Sequence, residues 1–120
     1  DVQLLLPAQS NHRLADLARN AALRELSEAG ARIWLLPGMV HAKCVVIDEA
    51  MALAGSANLD ERSLFLNYEV MVAYHQKEDV LKFVSWITRH RDAAQPYTAD
   101  RPSGWRELAE GAVRWFAFQL

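Results

Sequence analysis

Two apolar runs, "HAKCVVID" and "AMALAGS", meet at "DEA" within residues 41 to 56. Short runs rich in Val, Ile and small apolar residues read as strands, and a link this short leaves room only for a tight connection. The middle of the chain is therefore a meander. Upstream, "VQLLLP" is a short buried strand ended by Pro7, which cannot donate to a ladder. Ser10 or Asn11 can then cap a helix whose apolar positions Leu14, Leu17, Ala18, Ala21, Ala22 and Leu26 recur at helical spacing, until "EAG" closes it at Gly30. "ARIWLLPG" is a second strand, broken by Pro37 and Gly38 just ahead of His41. The chain starts as β-α-β and continues as a meander.

Downstream of the polar stretch "GSANLDERS", Tyr68 to Tyr74 reads as a buried strand. "KEDVLKFVSWITRHRD" is a helix with Val80, Phe83, Val84 and Ile87 on one face, acids in its first turn and bases in its last, as the helix dipole favours. "AAQPYTADRPSG" is a linker by composition. "WRELAEGAVRWFAFQL" is a terminal helix striped by Trp105, Leu108, Ala112, Trp115 and Phe116. The expected class is α/β: a mixed β-sheet flanked by helices.

At 120 residues the chain suffices for one ordinary core, and 52% apolar against 23% charged residues suits a globular protein. The net charge of −2 and pI near 6.1 provide no basic field for non-specific nucleic-acid binding, so no nucleic acid is expected as a general partner. Cys44 is the only cysteine, which excludes an intrachain disulfide or a cysteine-rich metal site and fits a reducing compartment. No apolar run reaches the roughly 18 to 20 residues that cross a bilayer, so membrane contact is expected to be peripheral or made elsewhere. The opening "DVQLLLP", without a methionine, suggests a piece of a longer chain.

On a strand, His41, Lys43, Val45 and Ile47 face one way and Ala42, Cys44, Val46 and Asp48 the other. An imidazole and an ammonium on one face suit a phosphate ester: the first attacks phosphorus, the second neutralises the non-bridging oxygens. Parity sets Asp48 away from that phosphate. Gly55 permits a sharp turn and close backbone approach, and the Ser56 hydroxyl and Asn58 amide offer neutral donors to the same oxygens. Glu69, read as lying on the following strand, can accept a hydrogen bond from the imidazole and fix its tautomer. Taken singly, His-x-Lys is common, Cys44 is a small core residue and Gly-Ser-Ala-Asn is a turn. Their joint spacing is what distinguishes them.

His41, Lys43, Asp48, Gly55, Ser56 and Asn58 satisfy H-x-K-x4-D-x6-G-S-x-N, which resembles the HKD signature of the phospholipase D superfamily. "GSANLDERSLFLNYEV" and "LLLPAQSNHRLADLA" are similar to the C-terminal half of bacterial cardiolipin synthases, so the resemblance covers roughly residues 1 to 95. It implies a half-domain of a two-half fold over residues 1–95, with a linker and amphipathic helix over 96–120.

The resemblance further implies that His41 is the nucleophile, that Lys43 and Asn58 hold phosphate oxygens with help from Ser56, and that Glu69 orients His41. Asp48 and Gly55 are then structural. It implies neither metal nor cofactor, and a phosphatidylglycerol-like phospholipid as substrate. A second motif must complete the site, from the other half of a longer chain or from a homodimer mate. Bacterial inner-membrane association through segments outside this sequence is part of the same expectation. The alternatives are a homodimeric single-motif phosphodiesterase, nuclease or phospholipase D, and a non-catalytic module that retains the fold.

"WLLPGM" and "LFL", on either side of the motif, can line an acyl channel or simply be core; core is the favoured reading. His12, His75 and His90 take surface or capping roles. The aromatic stripe of the terminal helix suits packing against the domain, with a membrane interface as the alternative.

Overall fold

The computed structural model describes residues 1–9 and 13–99. Its elements are β1 (Gln3–Pro7), α1 (Arg13–Glu28), β2 (Arg32–Leu36), β3 (Cys44–Ile47), β4 (Met51–Gly55), α2 (Glu61–Phe65), β5 (Met71–Tyr74), α3 (Lys77–Asp92) and β6 (Gln95–Pro96). The α/β class is as expected, but the strands are divided between two three-stranded sheets, β1-β2-β6 and β3-β4-β5. They belong to two compact units, the first formed by the described residues up to 40 and from 93 to 99, the second by residues 41–92.

In the first unit, β1 and β2 run parallel from Gln3↔Arg32 to Pro7↔Leu36, which requires the α1 crossover between them. Leu23, Ile33 and Leu36 are buried there. The expected α1 stripe is displaced: Ala22 is exposed and Leu26 is 37% exposed, whereas Leu23 is buried. The side chains at 14, 17 and 18 lie outside the described residues, as do the proposed caps Ser10 and Asn11. One turn before Leu23, Arg19 donates from Nη1 to Pro7 O (2.8 Å) and from Nη2 to Ala8 O (2.9 Å). A count of apolar residues misses a face that includes a guanidinium. Gly30, at φ +94°, ends α1 in the left-handed region that glycine enters without penalty.

Residues 95 and 96, expected as linker, form β6. It pairs antiparallel with β2 through Leu35↔Gln95 and Trp34↔Pro96, and Tyr97 N donates to Ile33 O at 2.8 Å. The terminal helix stripe, Trp105 to Phe116, lies outside the described residues, as does His12.

The second unit is the meander. β3 and β4 pair from Cys44↔Ala54 to Ile47↔Met51 around a turn closed by Ala50 N to Ile47 O at 2.9 Å. Asp48 and Glu49 both have positive φ (49° and 53°), the paired left-handed conformation of tight hairpins. β5 adds to β4 through Gly55↔Met71 to Ala52↔Tyr74, and α3 packs on β3 and β4 with Val80 and Ala52 fully buried. Cys44 and Val46 are half-buried, while Val45 and Ile47 are exposed, which is the alternation a sheet covered on one side produces.

β5 is shorter than expected and mostly exposed rather than buried. The short helix α2 was not anticipated. Its signal is local: Asp60 caps it, accepting from Ser63 N at 2.8 Å, ahead of "ERSLF". Leu64, Phe65 and Leu66 are 55%, 79% and 76% exposed, so the core reading of "LFL" is overturned.

Candidate functional site

His41 and Lys43 do not belong to the strand itself. β3 begins at Cys44, and the last ladder bond runs from Gly55 N to Lys43 O at 3.1 Å, because β4 ends there and residues 41 and 42 meet no further partner. Strand parity therefore does not decide how the pair is oriented. The two come together through a local contact, in which Lys43 Nζ donates to the carbonyl oxygen of His41 at 3.0 Å. Asp48 is likewise off the strand, in the left-handed turn at the far end of β3, so its separation from the pair comes from distance along the hairpin and not from facing.

His41 and Lys43 open onto a cleft of about 570 Å3 within the second unit. Its floor includes Cys44, Ala54 and Gly55 from the hairpin. Its opposite wall consists of Tyr74 from β5 and Asp79, Lys82, Phe83 and Trp86 from α3. Burial raises the pKa of the Cys44 thiol, which suits a small core residue. Of these α3 residues only Phe83 is singled out by the sequence, as part of the apolar face, although the 79, 82, 83, 86 spacing is a second helical stripe beside the expected one.

Gly55 is required by close approach. A Cβ there would overlap Val70 O and stand 2.8 Å from Met71 Cα and 2.7 Å from Met71 Sδ. The Gly55↔Met71 register then brings Ser56 beside Val70: Ser56 N donates to Val70 O and Val70 N to Ser56 Oγ, each at 3.0 Å. Ser56 Oγ in turn donates to Glu69 Oε2 in a short bond, and Asn67 Nδ2 donates to Glu69 Oε1 at 3.4 Å.

Glu69 precedes β5 rather than lying on it, and the hydrogen bonds that fix its carboxylate come from Ser56 and Asn67. Ser56 also holds its pKa below the usual 4.5, followed by Ser63 and Asn67, with the charge of Lys43 adding a little and desolvation opposing. Lys43 thus touches the His41 backbone and is felt by Glu69. Asn58 lies exposed in the turn after Ser56. The structure brings His41, Lys43 and Gly55 to the cleft, links Ser56 to Glu69 beside it, and leaves Asn58 and Asp48 outside both groups.

A carboxyl whose folded pKa lies below its unfolded value stabilises the fold above about pH 4.5, and that contribution fades as the pH falls through the folded value. Ser56→Ala is expected to move the Glu69 titration, followed by carboxylate NMR, back toward 4.5. The stability difference between the two proteins should then be present at pH 7 and shrink on acidification below 4.5. An unmoved Glu69 titration would show that Ser56 is not what holds it.

Among the described residues, no group of three or more His, Cys, Asp or Glu is placed to share a metal ion, and no helix is long and apolar enough to cross a membrane.

A family model described as "Cardiolipin synthase, PLD-like domain" matches residues 1–91. Cardiolipin synthase A of Pseudomonas fluorescens Pf-5 is 45% identical over 73 residues, which is 60% of this chain and 15% of that protein. Cardiolipin synthase A of Escherichia coli O1:K1 / APEC is 38% identical over 122 residues, covering 98% of this chain and 25% of that one. The chain thus spans a quarter or less of these relatives. Among solved structures, the phospholipase D family member Nuc from Salmonella typhimurium superposes with a TM-score of 0.69 at 18% identity, over 81% of this chain and 64% of that one. That likeness shows the fold.

Proposed function

This chain belongs to the cardiolipin synthase PLD-like domain family, and from that premise we propose that it is one half of a phosphatidyltransferase working through a phosphohistidine. The supporting observation is the pairing of His41 with Lys43 at the mouth of a cleft, beside the Ser56–Glu69 link. The His41 imidazole attacks phosphorus of a phosphatidylglycerol-like lipid. A P–N bond forms, the P–O bond to the leaving glycerol breaks, and the alkoxide takes a proton from the second motif's histidine. That histidine then removes the proton of the incoming hydroxyl, a new P–O bond forms, and the P–N bond breaks to restore His41. Lys43 and the neutral donors Ser56 and Asn58 offset charge on the non-bridging oxygens.

In the resting structure the Glu69 carboxylate is held by Ser56 and Asn67. Orienting the imidazole directly requires its carboxylate to exchange partners when substrate binds. Asp48 serves the hairpin turn and Gly55 the β4–β5 approach. Residues 1–95 form the half-domain, with 96–120 appended to it.

One motif makes half a site, and the second half is proposed to come from the same longer chain, with a homodimer mate as the other source. The apolar ridge of Leu59, Leu64, Phe65, Leu66, Tyr68 and Val70, each more than half exposed, supports a surface that another domain covers. Association with the bacterial inner membrane is proposed to come from other segments of such a chain.

The test uses the longest natural chain carrying these residues, supplied with phosphatidylglycerol, with products resolved by lipid mass spectrometry. Transfer yields a lipid bearing two phosphatidyl groups plus free glycerol, and chelators leave the rate unchanged. Phosphatidic acid as the sole product would replace transfer with hydrolysis. Inertness toward lipid with cleavage of nucleic acid would replace the reading with the nuclease alternative.

A further inference from the structure

The cleft at His41 and Lys43 has a wall that the phosphate chemistry leaves unused. Tyr74, Phe83 and Trp86 line it opposite the hairpin, whose Ala54 contributes a small side chain to the lining. These rings already occupy one another's faces. Tyr74 and Phe83 stand 5.1 Å apart between centroids at 50°, and Trp86 rests on the His90 ring at 4.0 Å. They offer the cleft an apolar wall with its stacking faces partly taken. The charge on that side is also used locally, since Lys82 Nζ donates to Asp79 Oδ1 at 2.8 Å.

We propose that this wall is a subsite for the glyceryl ester and first methylenes of one acyl chain, in a phospholipid whose phosphate lies against His41 and Lys43. The proposal rests on the phosphatidyltransferase reading and adds to it the part of the substrate that the α3 stripe holds. A single-stranded nucleic acid would need open aromatic faces and a track of positive charge, and this wall has neither in full. An alkyl ester needs apolar surface beside a cationic end, which the cleft provides. Its size fits the same occupant. At about 30 Å3 per water-sized group, 570 Å3 takes roughly 20 such groups. That accommodates a phosphate, a glycerol and a few carbons, and the remainder of each chain leaves through the open mouth.

The experiment is a series of monodisperse phosphatidylglycerols with acyl chains of two to eight carbons, presented to the longest natural chain carrying these residues. Each methylene that enters an apolar subsite is worth roughly fourfold in affinity. KM is therefore expected to fall roughly fourfold per carbon over the first few carbons and then level off. Trp86→Ala should flatten that slope to below about twofold per carbon, and Trp86→Leu, which restores apolar bulk, should recover part of it. Ser85→Ala, on the exposed side of the same helix, should keep it. Turnover indifferent to chain length in the unmodified protein, or a slope that survives in Trp86→Ala, overturns the subsite alone. Preference for a nucleoside phosphodiester over every lipid overturns it in favour of base stacking. Failure to turn over any phosphatidylglycerol overturns the transferase reading and the subsite with it.

Discussion

His41→Ala is expected to lower phosphatidyl turnover by about 10^4-fold or more, the scale on which loss of a covalent nucleophile acts. The reaction is divided into two displacements at phosphorus, and alanine removes the atom that makes the first. Direct attack by the acceptor hydroxyl remains possible in principle, but it forgoes the activated P–N intermediate. The fold should be indifferent to the change, because His41 is exposed, precedes β3 and contributes its carbonyl, not its ring, to the Lys43 contact. Unfolding midpoints of the two proteins should agree while turnover differs by orders of magnitude. Lipid turnover within about tenfold of the unmodified protein would remove His41 from the nucleophile's role.

Gly55→Ala is expected to cost about 3 kcal/mol of stability, at the upper end for overpacking because the obstruction is backbone. The new methyl would overlap Val70 O and crowd Met71 Cα at 2.8 Å, so β5 must withdraw from β4. Val70 O is also the acceptor for Ser56 N, and Val70 N the donor to Ser56 Oγ. Withdrawal therefore loosens the strand pairing and the Ser56–Glu69 link in one step. For a domain of this size the midpoint temperature should drop by about 10 to 20 °C. Unfolding in denaturant gives the same quantity. An alanine variant as stable as the parent would contradict the close approach of β5 to β4.

The parts of this fold governed by neighbours in sequence were legible from the residues alone. α3 spans Lys77–Asp92 as its period and end charges require, since Glu78 and Asp79 fill the first turn and Arg89, His90 and Arg91 the last. The β-α-β start and the hairpin at "DEA" followed from strand lengths and turn residues. What depended on a distant partner was not legible. β3 begins at Cys44 because β4 stops at Gly55, and no property of "HAK" reports where another strand ends. β6 exists because β2 has a vacant edge, which composition cannot reveal.

The candidate site divides in the same way. His41, Lys43 and Gly55 were recognisable because a short spacing sets them. The Ser56–Glu69 bond joins residues thirteen apart and arises from the β4–β5 register, so Glu69 was noticed as an acid without its partner being foreseen. The α3 side of the cleft was hidden because Phe83 belongs to the apolar face and Asp79 to the acidic first turn, while nothing in the local pattern singles out Lys82 or Trp86. Arg19 shows the same limit: the buried face of α1 contains a charge, and a hydrophobic pattern does not count charges as interior.

The most direct measurement is to quench turnover of isotopically labelled phosphatidylglycerol into alkaline denaturant, where phosphohistidine survives, and to map the adduct by peptide mass spectrometry. The account predicts a labelled phosphatidyl group on the His41 imidazole that appears before product and is absent from His41→Ala. Turnover with label on another residue, or with no adduct under conditions where an intermediate must accumulate, would contradict it.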